Sequence, residues 1–315
     1  MEKERIIAVV GATGAQGGAL VRAILNDKDG GFKVRALTRN AESDKAKQLK
    51  LMGAEVVEAD VDDKQSIIAA FKGAYGAYCV TFFWEHLSPV KENKQANNMA
   101  EAASEVGIKH VIWSTLEDTR KWISLDDDRM PTLQEKYKVP HLDSKGESNI
   151  YFEESGVPYT LLNTSFYWEN FIYFGLGPQK GPDGKYSITF PMGNKKLPGI
   201  SSDDIGKCAY TIFKSGKEYV GETVSIAGEH LNGQEMAAAF TKHLGIDVQY
   251  NAVSPDVYRS FGFPGADEMG NMFQFKADFE EMYCGVRDVE KTRKLSPGLL
   301  DFDTWLENKK QLIQL

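Results

Sequence analysis

Cysteine is scarce in this chain: three in 315 residues, at Cys79, Cys208 and Cys284. An odd, widely spaced set excludes a disulfide framework and suits reduced thiols. The five histidines are spread as thinly, and none stands at metal-ligand spacing from a cysteine or another histidine, so no metal is expected. No apolar run reaches transmembrane length. No block of lysine or arginine is long enough to follow a nucleic-acid backbone, and the formal net charge is −8. Membrane and direct nucleic-acid partners are therefore not expected. Internal repeats and low-complexity tracts are also missing. The start Met1-Glu2-Lys3-Glu4-Arg5 leads directly into an apolar run, which leaves no signal peptide and points to the cytoplasm.

What is present is concentrated near the start. Ile6, Ile7, Ala8, Val9 and Val10 form an apolar run that stops at a glycine-rich turn, Gly11-Ala12-Thr13-Gly14-Ala15-Gln16-Gly17. Leu20, Val21, Ile24 and Leu25 then recur at helical spacing, so the stretch reads strand, turn, helix. Gly11 suits a sharp turn, Gly14 a backbone that a pyrophosphate must approach, and Gly17 close packing of helix on sheet. The free N–H groups of the helix start favour an anion. The pattern in this context indicates a dinucleotide.

The second strand, Phe32 to Thr38, ends at Arg39. An acidic residue near this point would hold the ribose hydroxyls of NAD(H). A guanidinium instead suits a 2′-phosphate through charge-assisted, bidentate hydrogen bonds. The expected cofactor is therefore NADP, as NADPH or NADP+. Asp60, at the end of a third strand over Ala54–Ala59, is placed to meet the adenine. Strand four, Gly76 to Thr81, opens into Phe82, Phe83 and Trp84 at the sheet end where ligands of parallel sheets sit. A long helix from Pro89 to Val106 carries Lys94. His110–Thr115 and Val157–Asn163 complete six strands.

Strict alternation of strand and helix predicts an α/β fold, a Rossmann-type doubly wound parallel sheet. After Asn163 the pattern loosens into turns, short strands and helices, including Gly233–Leu244 and Phe302–Leu312. This predicts an NADP-binding domain over residues 1–165 and a smaller mixed α/β C-terminal lobe over 166–315, with some of its segments returning to the sheet. The polar stretch from Asp118 to Val139 reads as a mobile insert.

The Gly11–Gly17 turn, Thr38-Arg39-Asn40 and Gly53-Ala54-Glu55-Val56-Val57 resemble the NmrA-like family, atypical members of the short-chain dehydrogenase superfamily. Lys145-Gly146-Glu147, Gly156-Val157-Pro158, Tyr167-Trp168-Glu169-Asn170, Lys217 to Gly221 and Phe261 to Ala266 extend the likeness over nearly the whole chain. They are most similar to the family's redox-sensing animal members. The resemblance implies cofactor contacts from Gly11, Ala12, Thr13, Gly14, Ala15, Gln16 and Arg39, with Asp60 and Val61 near the adenine. It further implies Thr81, Phe82, Phe83 and Lys94 along the cofactor, Lys145 at the ribose, and Tyr167, Trp168, Glu169 and Asn170 beside the nicotinamide. Trp168 stands where the family pattern has phenylalanine. The resemblance also implies a regulatory protein partner, and it admits a homodimer and a nuclear location.

Short-chain dehydrogenases pair a tyrosine with a lysine four residues later, the lysine making the phenol a usable acid. Here Lys145 is preceded at that spacing by His141, and Tyr137 is eight residues away. No catalytic residue is assigned; His141 and Lys145 are the weak candidates. Two functions follow. One is a regulatory protein that senses the NADPH/NADP+ ratio and changes conformation or protein partners. The alternative is an NADPH-dependent oxidoreductase acting on a quinone or other carbonyl compound, with Phe82, Phe83, Trp84, Tyr167 and Trp168 available to stack on a flat substrate.

Overall fold

The computed structural model describes residues 5–315. The Met1–Glu4 start, and with it the expectation about a leader, lies outside the described residues. In chain order the elements are β1 (Arg5–Val9), α1 (Ala15–Asn26), β2 (Phe32–Thr38), α2 (Asp44–Leu51), β3 (Glu55–Glu58), α3 (Lys64–Phe71), β4 (Gly76–Cys79), α4 (Pro89–Glu105) and β5 (His110–Thr115). Then follow α5 (Pro140–Glu147), α6 (Asn149–Glu154), β6 (Tyr159–Asn163), β7 (Phe166–Tyr167), α7 (Asn170–Tyr173), β8 (Gln179–Lys180), β9 (Tyr186–Phe190) and β10 (Leu197–Ile200). The last are α8 (Ser202–Lys214), β11 (Thr223–Ser225), β12 (Glu229–Leu231), α9 (Gly233–Leu244), β13 (Val248–Ala252), α10 (Pro255–Arg259), α11 (Ala266–Asp278), α12 (Glu280–Gly285), α13 (Val289–Leu295) and α14 (Phe302–Lys309).

The chain divides into two compact units. The first holds the residues up to Asp118, His141–Asn163 and Asp203–Val224; the second holds Thr119–Pro140, Thr164–Ser202 and Ser225–Leu315.

The first unit is the expected doubly wound α/β sheet. Its strand order is β11-β6-β5-β4-β1-β2-β3, and every pairing from β6 to β3 is parallel. The order reverses beside β1, so a crevice opens at the carboxyl ends of β1 and β4. Side chains of β4 and β5 are buried throughout, as expected of parallel strands covered on both faces. The helices start where short polar side chains cap them: Ser43, Asp63 and Ser88 each accept a backbone N–H of the first turn. Pro89 occupies the first position of α4, where its missing N–H costs nothing. On the other face α8 lies against α1, and a Cβ on Gly206 would strike the backbone of Ala19 and Leu20.

The helical stretch before β6 is two helices, α5 and α6, parted at Ser148. The Ser148 hydroxyl donates to the Ser144 carbonyl at 2.7 Å, a side-chain bond that competes with helix continuation.

The second unit contains two three-stranded sheets, β12-β10-β7 and β13-β9-β8. Aromatic rings form its core: Phe171 packs against Phe166, Phe190, Phe240 and Phe302 with centroids 5.1–6.0 Å apart. The stretch read as a mobile insert is packed within this unit. Ile123, Met130, Tyr137 and Val139 are buried, and Asn271 donates to the carbonyls of Pro131 and Lys138 at 2.8 and 2.6 Å. Sparse apolar residues hidden in a polar composition make those anchors. Among the described residues, no helix is long and apolar enough to cross a membrane.

Candidate functional site

The turn after β1 is shaped by its glycines. Gly11 has φ +64, the left-handed region where a side chain is strained. Gly14 is the N-cap of α1 and offers no side-chain cap, and the first turn of α1 carries no acidic residue. The first helical bond runs from the Gly18 N–H to the Gly14 carbonyl, so the N–H groups of the opening turn are left to an external acceptor. A Cβ on Gly17 would strike the backbone of Gly11 and Val10, so only glycine lets the helix sit this close. An uncapped, acid-free helix start behind a turn of bare backbone fits a pyrophosphate. The rest of the turn is braced: Ala12 is buried, and the Gln16 side-chain oxygen accepts from Tyr78 Oη at 2.5 Å and Ser114 Oγ at 2.7 Å.

Arg39 follows β2 and is largely exposed. Its Nη1 donates to Glu85 Oε1 at 2.6 Å, and this bond raises the guanidinium pKa above its ordinary value. Asp60 stands at the end of β3, where its Oδ1 accepts the Asp62 N–H and its own N–H donates to Ser66 Oγ. The Val61 side chain packs on the core while its carbonyl accepts from Asn98. Lys94 is exposed on α4, close enough for its charge to act on Asp62.

Beyond β4 the chain holds a buried ionic cluster. Lys145 Nζ lies 2.6 Å from Thr81 Oγ1, 3.3 Å from the Thr81 carbonyl and 2.8 Å from Glu92 Oε1. Thr81 Oγ1 also donates to Glu92 Oε1 at 2.6 Å. Glu92 is fully buried and the Lys145 side chain only 12% exposed. An ammonium has three donors, and all three are engaged. His86 Nε2 faces Glu92 Oε2 at 3.6 Å, too far for a hydrogen bond. The Ser88 N–H donates to His86 Nδ1 at 3.1 Å. Lys145 is thus the charge partner of Glu92.

The aromatic residues after β4 divide. Phe83 is buried and Phe82 is 55% exposed. His141, the second residue of α5, is buried, with its ring 4.9 Å from Trp84 and 6.0 Å from Phe83. Tyr137 lies outside α5 and is buried in the second unit with its ring against Arg120. Also in the second unit, Tyr167 Oη contacts Thr164 Oγ1 at 3.1 Å. Trp168 is buried against Phe302 and Trp305. Glu169 accepts from the Ser202 N–H, Ser201 Oγ and Trp305 Nε1, and Asn170 begins α7.

In the first unit Gly11–Gln16, Arg39, Asp60 with Val61, and Thr81–Phe83 follow the carboxyl ends of β1, β2, β3 and β4 in turn, Lys145 reaches Thr81, and Lys94 lies on α4. Glu92 and His86 were not among the expected residues. A signal for Glu92 exists: Pro89, Glu92, Ala96, Met99 and Ala103 share the buried face of α4, and a carboxylate on an apolar stripe needs a partner. Among the described residues no cluster of His, Cys, Asp and Glu could hold a metal ion. Burial raises the thiol pKa of all three cysteines, to about 11 at Cys284, which makes them poor nucleophiles.

Comparison with known proteins places this geometry. The NmrA-like family matches residues 3–306. The NmrA-like family domain-containing oxidoreductase FrzB of a Cladobotryum species is 30% identical over 293 residues, 86% of this chain and 83% of the relative. Among solved structures, the negative transcriptional regulator NmrA in complex with NADP superposes with TM-score 0.78 at 22% identity, over 97% of this chain and 95% of that one. Citrobacter sp. triphenylmethane reductase complexed with NADP(H) gives TM-score 0.76 at 20% identity, over 98% and 99%. At these identities the two structures share the fold.

Proposed function

The chain belongs to the NmrA-like family, and from that premise we propose that it binds NADP(H) at the Gly11–Gly17 turn and acts as a regulatory sensor of the NADPH/NADP+ ratio. The pyrophosphate lies against the Gly11–Gln16 backbone and the start of α1. Arg39 takes the 2′-phosphate, and Asp60 and Val61 border the adenine. Thr81, Phe82, Phe83, Lys94 and Lys145 follow the cofactor toward the nicotinamide. The contacts implied from Tyr167 to Asn170 belong to the same proposal. When bound, the nicotinamide can give or accept a hydride.

The observation that carries the regulatory reading is the state of the acid–base pair. The position that should hold an acidic phenol is His141, buried and packed against Phe83 and Trp84. The lysine that should activate it is engaged by Thr81 and Glu92. Neither group is free to deliver a proton to a substrate. A sensor needs no such proton; it needs conformations of different affinity for the two cofactor forms.

The reductase reading has its own support. Relatives such as FrzB are named oxidoreductases, and Phe82 offers an exposed ring at the end of β4. Hydride transfer to a quinone asks less of a protein acid than carbonyl reduction does. Purified full chain, titrated with NADPH and then followed by NADPH absorbance with a panel of quinones and aldehydes, separates the two. Saturable binding without turnover supports the sensor. Saturable turnover of any of these compounds makes the protein a reductase.

A further inference from the structure

The ion pair between Arg39 and Glu85 is placed where it can decide which cofactor binds. Arg39 follows β2, and Glu85 closes the 3₁₀ turn Phe83–Glu85 that follows β4. β1 lies between these strands in the sheet. Neighbouring strands are about 4.8 Å apart, so the two side chains meet across a gap of about 10 Å, spanning the strand end from which the Gly11 turn departs.

The other carboxylates whose charge Arg39 feels are Asp60 and Asp62, and both have tasks of their own. Asp62 is paired with Lys91 at 2.9 Å and accepts from Gln95, and Asp60 caps its own turn. Glu85 bonds to Arg39.

We infer, on the footing of the NADP(H) site proposed above, that Glu85 is a specificity-determining residue that competes with the 2′-phosphate for Arg39 and so narrows the preference for NADP(H) over NAD(H). A 2′-phosphate must draw the guanidinium from Glu85 or share it with that carboxylate at close range. Each route opposes the phosphorylated nucleotide. A free 2′-hydroxyl carries no charge, leaves the pair intact and can donate to a carboxylate. The glutamate therefore acts against one cofactor and spares the other. This gives the chain a way to respond to both nucleotide pools, with the balance set by a single side chain.

The test is a set of equilibrium titrations of the full chain with NADPH, NADH, adenosine 2′,5′-bisphosphate and AMP, in wild type, Glu85→Gln, Arg39→Gln and the double variant. Glu85 is 45% exposed and Arg39 64%, so the substitutions leave the core untouched, which circular dichroism checks. Exposed ion pairs and like-charge contacts of this kind change affinity by a few-fold each. Glu85→Gln should raise the ratio Kd(NADH)/Kd(NADPH) about three- to ten-fold, with a parallel rise for the bisphosphate over AMP. The effect should shrink in the Arg39→Gln background and at about 0.5 M salt, where screening is strong. A ratio that is unchanged or falls in Glu85→Gln, while wild type binds NADPH, overturns the role of Glu85 and leaves the proposed site standing. Absence of NADPH binding by wild type overturns both.

Discussion

Replacing Lys145 by methionine removes the charge partner of a carboxylate that has no access to water. Glu92 is fully buried, and its Oε2 has no hydrogen-bond partner among the described residues. Without Lys145, among the described residues only the Thr81 hydroxyl still donates to Oε1, with His86 Nε2 standing 3.6 Å from Oε2. Breaking a buried pair from one side costs about 3–5 kcal/mol, because the surviving charge is left uncompensated. The Lys145 side chain is 12% exposed, which puts the expectation at the lower end, about 3 kcal/mol. Replacing both members, Lys145→Met with Glu92→Leu, removes the stranded charge as well. The double variant should lose less than the sum of the two single losses, by about 2 kcal/mol or more. Urea unfolding followed by tryptophan fluorescence measures this; Trp113 is a local reporter, since Lys145 Nζ lies 5.2 Å from its ring centroid. A loss under about 1 kcal/mol for Lys145→Met, the range of an exposed pair, together with additive single effects, would refute the buried-cluster argument.

Gly17→Ala sets two effects against each other: alanine favours a helix by about 1 kcal/mol, but its Cβ strikes the Gly11 backbone. Overpacking costs about 1–3 kcal/mol, so lower stability and weakened NADPH binding are expected in thermal melts and titrations, whereas a stabilised variant would show that the helix does not need this approach. Burial lowers the His110 pKa from 6.5 to about 4. The unfolded chain therefore binds the extra proton between those values: this stability is present in full above pH 6.5, falls by roughly 3 kcal/mol as pH drops toward 4, and falls no further below. Urea midpoints measured at both ends of that window, in wild type and His110→Gln, check it, with a flatter profile expected for the variant. Asn232→Ala should cost about 1 kcal/mol in the same assay, since Asn232 and Glu235 form a reciprocal capping box at the start of α9.

The first half of the chain could be read because its elements obey simple rules. Strands buried on both faces carry no charged residue, as at β4 and β5, while β2 alternates between buried and more exposed positions, and Ser43, Asp63 and Ser88 announce the helices that follow them. The second half resists for physical reasons. β8 is two exposed residues, too short to show a period. The helix α11 buries Glu268, Gln274 and Lys276 beside Phe273 and Phe275, so no polar face marks it. At the proposed site, residue type alone singled out the glycines and Arg39, because their chemistry is local. Glu92 was hidden in the charged run Lys91-Glu92-Asn93-Lys94, where a buried carboxylate looks like a solvated one. The ion pair of Arg39 with Glu85 joins residues 46 positions apart, a juxtaposition that only the sheet order creates.

Hydrogen exchange of the full chain, saturated in turn with NADPH and with NADP+, tests the sensor account most directly. A ratio can be read only if the two cofactor forms favour different conformations. The account predicts that exchange differs between the two complexes in segments outside the Gly11–Gly17 turn, with the turns from Gly175 to Gly184 and the stretch around Asp128 as the places to look first. Identical exchange in the two complexes would contradict it, because a protein that responds alike to both forms cannot report their ratio.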